Sequence, residues 1–170
     1  MKKILIAVDS TNNSKTILSV FNNLVRPPEK IILLHVEQLE GNSMMTAMLG
    51  DAEMSTLRDS LKETEYKSKL DERAEKILGF YKKELGNGGL LNIQTVIREG
   101  NPSEEILKVA EAEAADLIIV GCSGKSKLHK LITGCASREI EKSSKVPVLV
   151  AKDDGCGRHD HAWGEAYALK

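Results

Sequence analysis

An apolar run, Asp116-Leu117-Ile118-Ile119-Val120, ends in Gly121-Cys122-Ser123-Gly124, and after a basic stretch a third glycine opens Gly134-Cys135-Ala136-Ser137. The spacing Gly121-x2-Gly124-x9-Gly134 reads as a buried strand, a turn with little side-chain bulk and a helix start. A helix N-terminus presents unpaired N–H groups and a positive dipole end, which suits an anion such as phosphate. Backbone N–H groups of Gly134, Cys135 and Ala136 are therefore candidates to hold phosphate, while residues 121–124 let a nucleotide lie close to the main chain. Lys125, Lys127, His129 and Lys130 add positive charge that would meet phosphates or form a solvated loop. The architectural alternative is that parallel sheets need small turn residues at strand ends.

Other constellations are weaker. Asp9 ends the first apolar run, where it would cap the following helix and also accept hydrogen bonds from a ribose or an adenine amine. His35 stands inside an apolar run and reads as a satisfied structural histidine. Cys156-x2-His159-x-His161 has soft and imidazole ligand types that suit zinc or copper, but it lies in a Gly- and His-rich tail with no evident rigid scaffold. Cys122, Ser123 and His129 are close in sequence without a base aimed at a nucleophile, so no catalytic set is assigned. Three commoner nucleotide signatures fail. Gly124-Lys125-Ser126 lacks the glycine that a P-loop requires at position 119, no GxGxxG follows the first strand, and Asp9-Ser10-Thr11 replaces a glycine-rich loop of the SGG type.

These residues need a scaffold, and the chain is long enough to build one. It has 170 residues, 41% hydrophobic and 29% charged, with a formal net charge of −1. That size favours one domain with a real core, over residues 1–152, followed by a tail over 153–170 that reads as flexible. The charge gives no basic field for nucleic acid, and no stretch approaches the roughly 20 apolar residues of a membrane helix. No export signal is read at the start, because the apolar run 4–8 is short and Asp9 follows it. Three cysteines without CxxC spacing fit free thiols in a reducing cytoplasm.

Near-continuous apolar runs at 3–8, 30–36 and 117–120 predict buried strands, 91–97 gives a further strand, and 147–151, opened by Pro147, a final one suited to an edge position. Helical periodicity follows the first at Ile17, Leu18, Phe21 and Leu24 or Val25, and Pro27-Pro28 ends it. Residues 38–51, with Met44, Met45 and Met48, read as a loop or lid. A charged helix is expected over 52–85, its stripe (Leu57, Leu61, Leu70, Ala74, Ile77, Leu78, Tyr81, Leu85) interrupted near Thr64 and Lys67. Further helices are expected from Pro102 and over 134–144. Such alternation predicts an open parallel five-stranded α/β sheet with helices on both faces. Its ligand would sit outside the carboxyl ends of the strands, where strand order reverses.

In order along the chain, Val8-Asp9-x-Thr11-x2-Ser14, Leu33-Leu34-His35-Val36, Gly100-x-Pro102, residues 116–121, the three-glycine pattern and Pro147-Val148-Leu149-Val150 resemble the universal stress protein family over about residues 1–152. The resemblance implies strand order 3-2-1-4-5, an adenine-nucleotide site for ATP or AMP, where Mg2+ would accompany the phosphates, and a homodimer paired through the last strand, residues 146–151. By position, Ala7, Val8 and Asp9 would border the adenine or ribose, and Val36 would touch the adenine. Val120, Gly121, Ser123 and Gly124 would follow the ribose and phosphates, with Gly134, Cys135, Ala136 and Ser137 cradling the phosphate chain. ATP-binding members carry Ser or Thr after the third glycine; this chain has Cys135. A thiol is a weaker donor than a hydroxyl, so one phosphate contact is reduced, with Ser137 as partial compensation. A thiol at a helix start should also be acidified and open to oxidants. The expected function is a stress-response sensor or regulator, at most a slow ATPase. The alternative is a nucleotide-free dimer that recruits a protein partner through its loop and tail.

Overall fold

A computed structural model describes residues 2–9, 14–37, 50, 52–53, 56, 65–86, 91–121 and 136–152. Five strands, β1 (Lys3–Val8), β2 (Lys30–Glu37), β3 (Ile93–Glu99), β4 (Leu117–Gly121) and β5 (Val148–Ala151), form one sheet in the order β3-β2-β1-β4-β5. All four strand pairings are parallel. Between the strands run α1 (Ser14–Leu24), α2 (Glu65–Gly86), α3 (Pro102–Ala112) and α4 (Ala136–Ser143).

Right-handed crossovers explain which face each helix takes. The path β1 to β2 to β3 moves outward in one direction, and α1 and α2 share one face. There Ile17, Phe21, Leu78, Tyr81 and Leu85 pack on Ile4, Ile6, Val8, Ile31, Leu33, Leu117 and Ile119. The path from β3 back to β4 and on to β5 reverses direction, so α3 and α4 cover the other face. Ile106, Val109, Ala110 and Ile140 pack on Leu5, Ile32, Leu34, Ile118 and Val120. Burial of both faces is why β1, β2 and β4 read as nearly unbroken apolar runs rather than alternating ones.

The expected fold and strand order are observed, with small differences at the boundaries of elements. The third strand is Ile93–Glu99 rather than 91–97. Its register is set by β2, from Ile31↔Ile93 to Glu37↔Glu99, so polar Arg98 and Glu99 join the ladder while Leu91 packs on the core ahead of it. The second strand likewise runs one residue further, to Glu37. The charged helix is continuous over Glu65–Gly86, ending at the first glycine of the expected stop, and Ala52, Glu53 and Thr56 are also helical. Of the alternatives Leu24 and Val25, Val25 packs against the core and Leu24 is 70% exposed.

The turn 100–103 is built as its residues suggest. Gly100 has φ 139°, a region that disfavours a side chain. Asn101 caps α3 by accepting from the Ser103 N–H at 3.0 Å, and Pro102 occupies the first turn, where no N–H is needed.

Asp116 pins the opposite end of the sheet. Its Oδ2 accepts from the backbone N–H groups of Lys2 at 2.6 Å and Lys3 at 2.9 Å, and its own N–H donates to the Lys3 carbonyl. The Lys3 and Lys2 amides hold its carboxyl below the ordinary 3.8. A depressed native pKa stabilises above the unfolded-state value and loses that contribution as pH falls through the native one. Urea unfolding of Asp116→Asn should therefore show lower stability than the parent at neutral pH, a difference that shrinks as pH falls through the lowered native value of Asp116.

Candidate functional site

Chain direction reverses between β1 and β4, with α1 and α2 on one face of the sheet and α3 and α4 on the other, and at such a switch point a ligand crevice is expected outside the carboxyl ends of the strands. The register defines its floor. Leu34 pairs with Ala7 and Ala7 with Val120, while Val96 and Val150 flank them as partners of Leu34 and Val120. All five face α3 and α4. Leu34 and Val120 are fully or nearly fully buried, whereas Ala7 is only half-buried. The row Val96–Leu34–Ala7–Val120–Val150 thus dips at its centre, at the switch point. A flat apolar ring fits such a dip, and Gly121, half-buried at the end of β4, adds no side chain to obstruct it.

One residue beyond the dip, Val8 is buried on the opposite face and Asp9 is exposed at the rim. Val36, half-buried, faces the same side as Ala7. His35 Nδ1 lies 2.9 Å from the Val8 carbonyl oxygen, which can only accept, so Nδ1 carries the proton. His35 is therefore a satisfied histidine, as expected, and it ties β2 to β1 at the rim.

The first turn of α4 reaches the same end of the sheet. Glu139 Oε2 lies 2.5 Å from the Ser103 hydroxyl in the first turn of α3, directly after β3. Ser103 Oγ is also 2.7 Å from Asn101 Oδ1, so one hydroxyl proton faces two acceptors in a buried joint between the two helix starts. Ala136 is half-buried and Ser137 buried in that first turn of α4. The structure thus brings together Ala7, Val8, Asp9, Val36, Val120, Gly121, Ala136 and Ser137 at the carboxyl end of the sheet. Ser123, Gly124, Gly134 and Cys135 lie outside the described residues, as do Lys125, Lys127, His129 and Lys130. So do the loop methionines 44, 45 and 48 and the tail residues Cys156, His159 and His161. Among the described residues no group of three or more His, Cys, Asp or Glu is placed to hold a metal, and no helix is long and apolar enough to cross a membrane.

An ionic node beside the crevice was not anticipated. Lys67 Nζ contacts Glu37 Oε2 at 2.5 Å, Glu99 Oε1 at 2.6 Å and Asp71 Oδ1 at 2.8 Å. Burial alone would push the ammonium down, but the hydrogen bonds to Asp71, Glu37 and Glu99 outweigh it and hold Lys67 above the usual lysine value. A signal for the node existed: Lys67 falls three residues before Leu70 and seven before Ala74, on the buried stripe of α2. A charge on a buried stripe requires partners.

An open parallel sheet wound in both directions, with helices on both faces, defines a doubly wound α/β domain. The family model for the universal stress protein family matches residues 1–152. The chain belongs to that family. It is 34% identical over 157 residues to the universal stress protein MJ0577 of Methanocaldococcus jannaschii, covering 89% of this chain and 94% of that protein. The solved structure of MJ0577 superposes with a TM-score of 0.66 at 32% identity, over 89% of this chain and 96% of that one. Two more distant structures share the fold. One is the Arabidopsis thaliana family member At3g01520 with AMP bound, at 16% identity and TM-score 0.55 over 91% of this chain and 93% of that one. The other is a universal stress protein in complex with cAMP, at 15% identity and TM-score 0.55 over 88% and 95%.

Proposed function

We propose that this protein binds an adenine nucleotide, ATP or AMP, at the carboxyl ends of β1, β2 and β4, and acts as a sensor or regulator in a stress response. The observation that carries the reading is the dip at Ala7 between buried Leu34 and Val120, at the switch point of the sheet. Adenine would lie over Ala7 against Val36, with Asp9 accepting from the ribose or the adenine amine. The main chain at Val120, Gly121, Ser123 and Gly124 would follow the ribose and phosphates, and Gly134, Cys135, Ala136 and Ser137 would take the phosphate chain on N–H groups. The adenylates held by the two distant members of the fold accord with this chemistry. A Mg2+ accompanying the nucleotide would rest mainly on phosphate oxygens.

The reading is one of binding rather than turnover, since the sequence gives no assignable set of nucleophile, base and orienter. Hydrolysis, if present, should be slow. The edge position of β5, paired to β4 on one side, supports a homodimer through residues 146–151; a cytoplasmic setting and a protein partner belong to the same reading.

The test is to denature freshly purified protein and identify released small molecules by chromatography and mass spectrometry. An adenine nucleotide near one per chain is the expected result. Finding none, followed by no heat on titrating ATP with Mg2+, would overturn the reading and favour a nucleotide-free interaction protein, with Cys135 as the first residue to revert to serine.

A further inference from the structure

β2 outruns β1 beside the crevice. Its pairing with β1 ends at Val8↔His35, while its pairing with β3 continues through Val36↔Arg98 to Glu37↔Glu99. Among the described residues, the last two of β2 therefore have a strand on one side only, and Val36 is one of them. At this overhang the ladder sets two carboxylates, Glu37 and Glu99, directly opposite each other, an arrangement that is destabilising by itself. The Glu37 side chain is only 3% exposed, and its Oε1 has no hydrogen-bond partner among the described residues. Its other oxygen and the Glu99 carboxylate both meet the Lys67 ammonium, supplied from α2 across the strand ends. Asp71, one helical turn on, contacts the same ammonium.

We infer that Lys67 is a positioning residue for the nucleoside end of the crevice: by neutralising the Glu37–Glu99 pair it holds the overhanging end of β2, and with it Val36, against β3. The link to the crevice rests on the nucleotide-binding reading above; the clamping of β2 does not. Without the ammonium, Glu37 would be a buried carboxylate beside two others, a state far costlier than an exposed charge. Lifting the strand end to hydrate it is the available relief. Beyond the ladder, the main-chain bond from the Gly100 N–H to the Glu37 carbonyl at 3.1 Å closes the same end and would open with it. Removing the Glu37 charge as well removes the cause of opening. A lysine that instead touched a phosphate directly could not be replaced in that way.

The experiment uses the full chain as parent, Lys67→Met, Lys67→Arg and the double variant Glu37→Gln/Lys67→Met. Hydrogen exchange is followed on the nucleotide-free proteins, and ATP and AMP affinities are measured by calorimetry. Lys67→Met should raise exchange of residues 34–37 and 97–100 at least about tenfold while residues 4–6 and 118–120 stay protected, and Lys67→Arg and the double variant should return it toward the parent. Nucleotide affinity should fall and recover in step. Unchanged exchange at the strand ends overturns the clamp whatever the nucleotide data show, as does an equal rise across the whole sheet. Local opening without loss of affinity, in a parent that binds, overturns the positioning of the site. Loss of affinity that the double variant does not restore overturns it in favour of direct contact. A parent that binds neither nucleotide fails the functional reading and removes the link to the crevice, while the exchange data still decide the clamp.

Discussion

Phenylalanine at position 7 should abolish measurable adenine-nucleotide binding, by about 100-fold or more, which corresponds to about 2.7 kcal/mol. Ala7 sits between buried Leu34 and Val120 in the register and is itself only half-buried. Its Cβ points into the dip that would receive the adenine, so a ring built there competes for the same volume. Because part of that volume opens to solvent, the added side chain need not be forced wholly into the core. Overpacking should cost no more than about 1–3 kcal/mol, leaving a folded protein with a lowered urea midpoint. Calorimetric titration of Ala7→Phe with ATP and AMP, beside its unfolding curve, separates the two effects. A folded variant that binds as well as the parent would remove Ala7 from the site and the dip from the functional reading.

The same position shows how far the sequence alone reached. Lys3-Ile4-Leu5-Ile6-Ala7-Val8 announces a strand buried on both faces because nearly every residue is apolar, and the helical spacing of Ile17, Leu18 and Phe21 announces its crossover. Strand-helix alternation announces the open parallel sheet, whereas the strand order, and with it the switch point, was implied by the resemblance to the universal stress protein family. Boundaries were less legible, since β3 begins and ends where β2 offers partners rather than where its own residues turn polar. Arg98 and Glu99 look like the start of a turn until Val36 and Glu37 are placed opposite them. The ionic node was out of reach for the same reason: Glu37, Lys67 and Glu99 are remote in sequence and meet only through register and the docking of α2. Of the site, the strand ends were legible from glycine and small-residue placement. The dip at Ala7 was not, because it depends on which residues of β2 and β4 stand beside it.

Register also predicts where the chain is least tolerant of loss. Leu33 and Leu24 are both leucines in apolar patterns, yet Leu33 is fully buried at the centre of β2, paired with Ile6 and Thr95, and Leu24 is 70% exposed at the end of α1. Leu33→Ala removes buried methyl groups from the face covered by α1 and α2 and leaves a cavity that two flanking strands cannot close. The expected cost is about 2–5 kcal/mol, against an exposed Leu24→Ala expected to stay within about 0.5 kcal/mol. Since domains of this kind are stable by about 5–15 kcal/mol, the first change alone would remove a large share of the margin. Paired urea titrations decide it, and equal midpoints for the two variants would mean that β2 does not sit at the centre of the core. The consequence reaches the crevice, because Leu34, His35 and Val36 are carried to the rim by the same strand. A loosened Leu33 should therefore weaken nucleotide binding only as far as it unfolds the chain, whereas Ala7→Phe should weaken binding in a chain that remains folded.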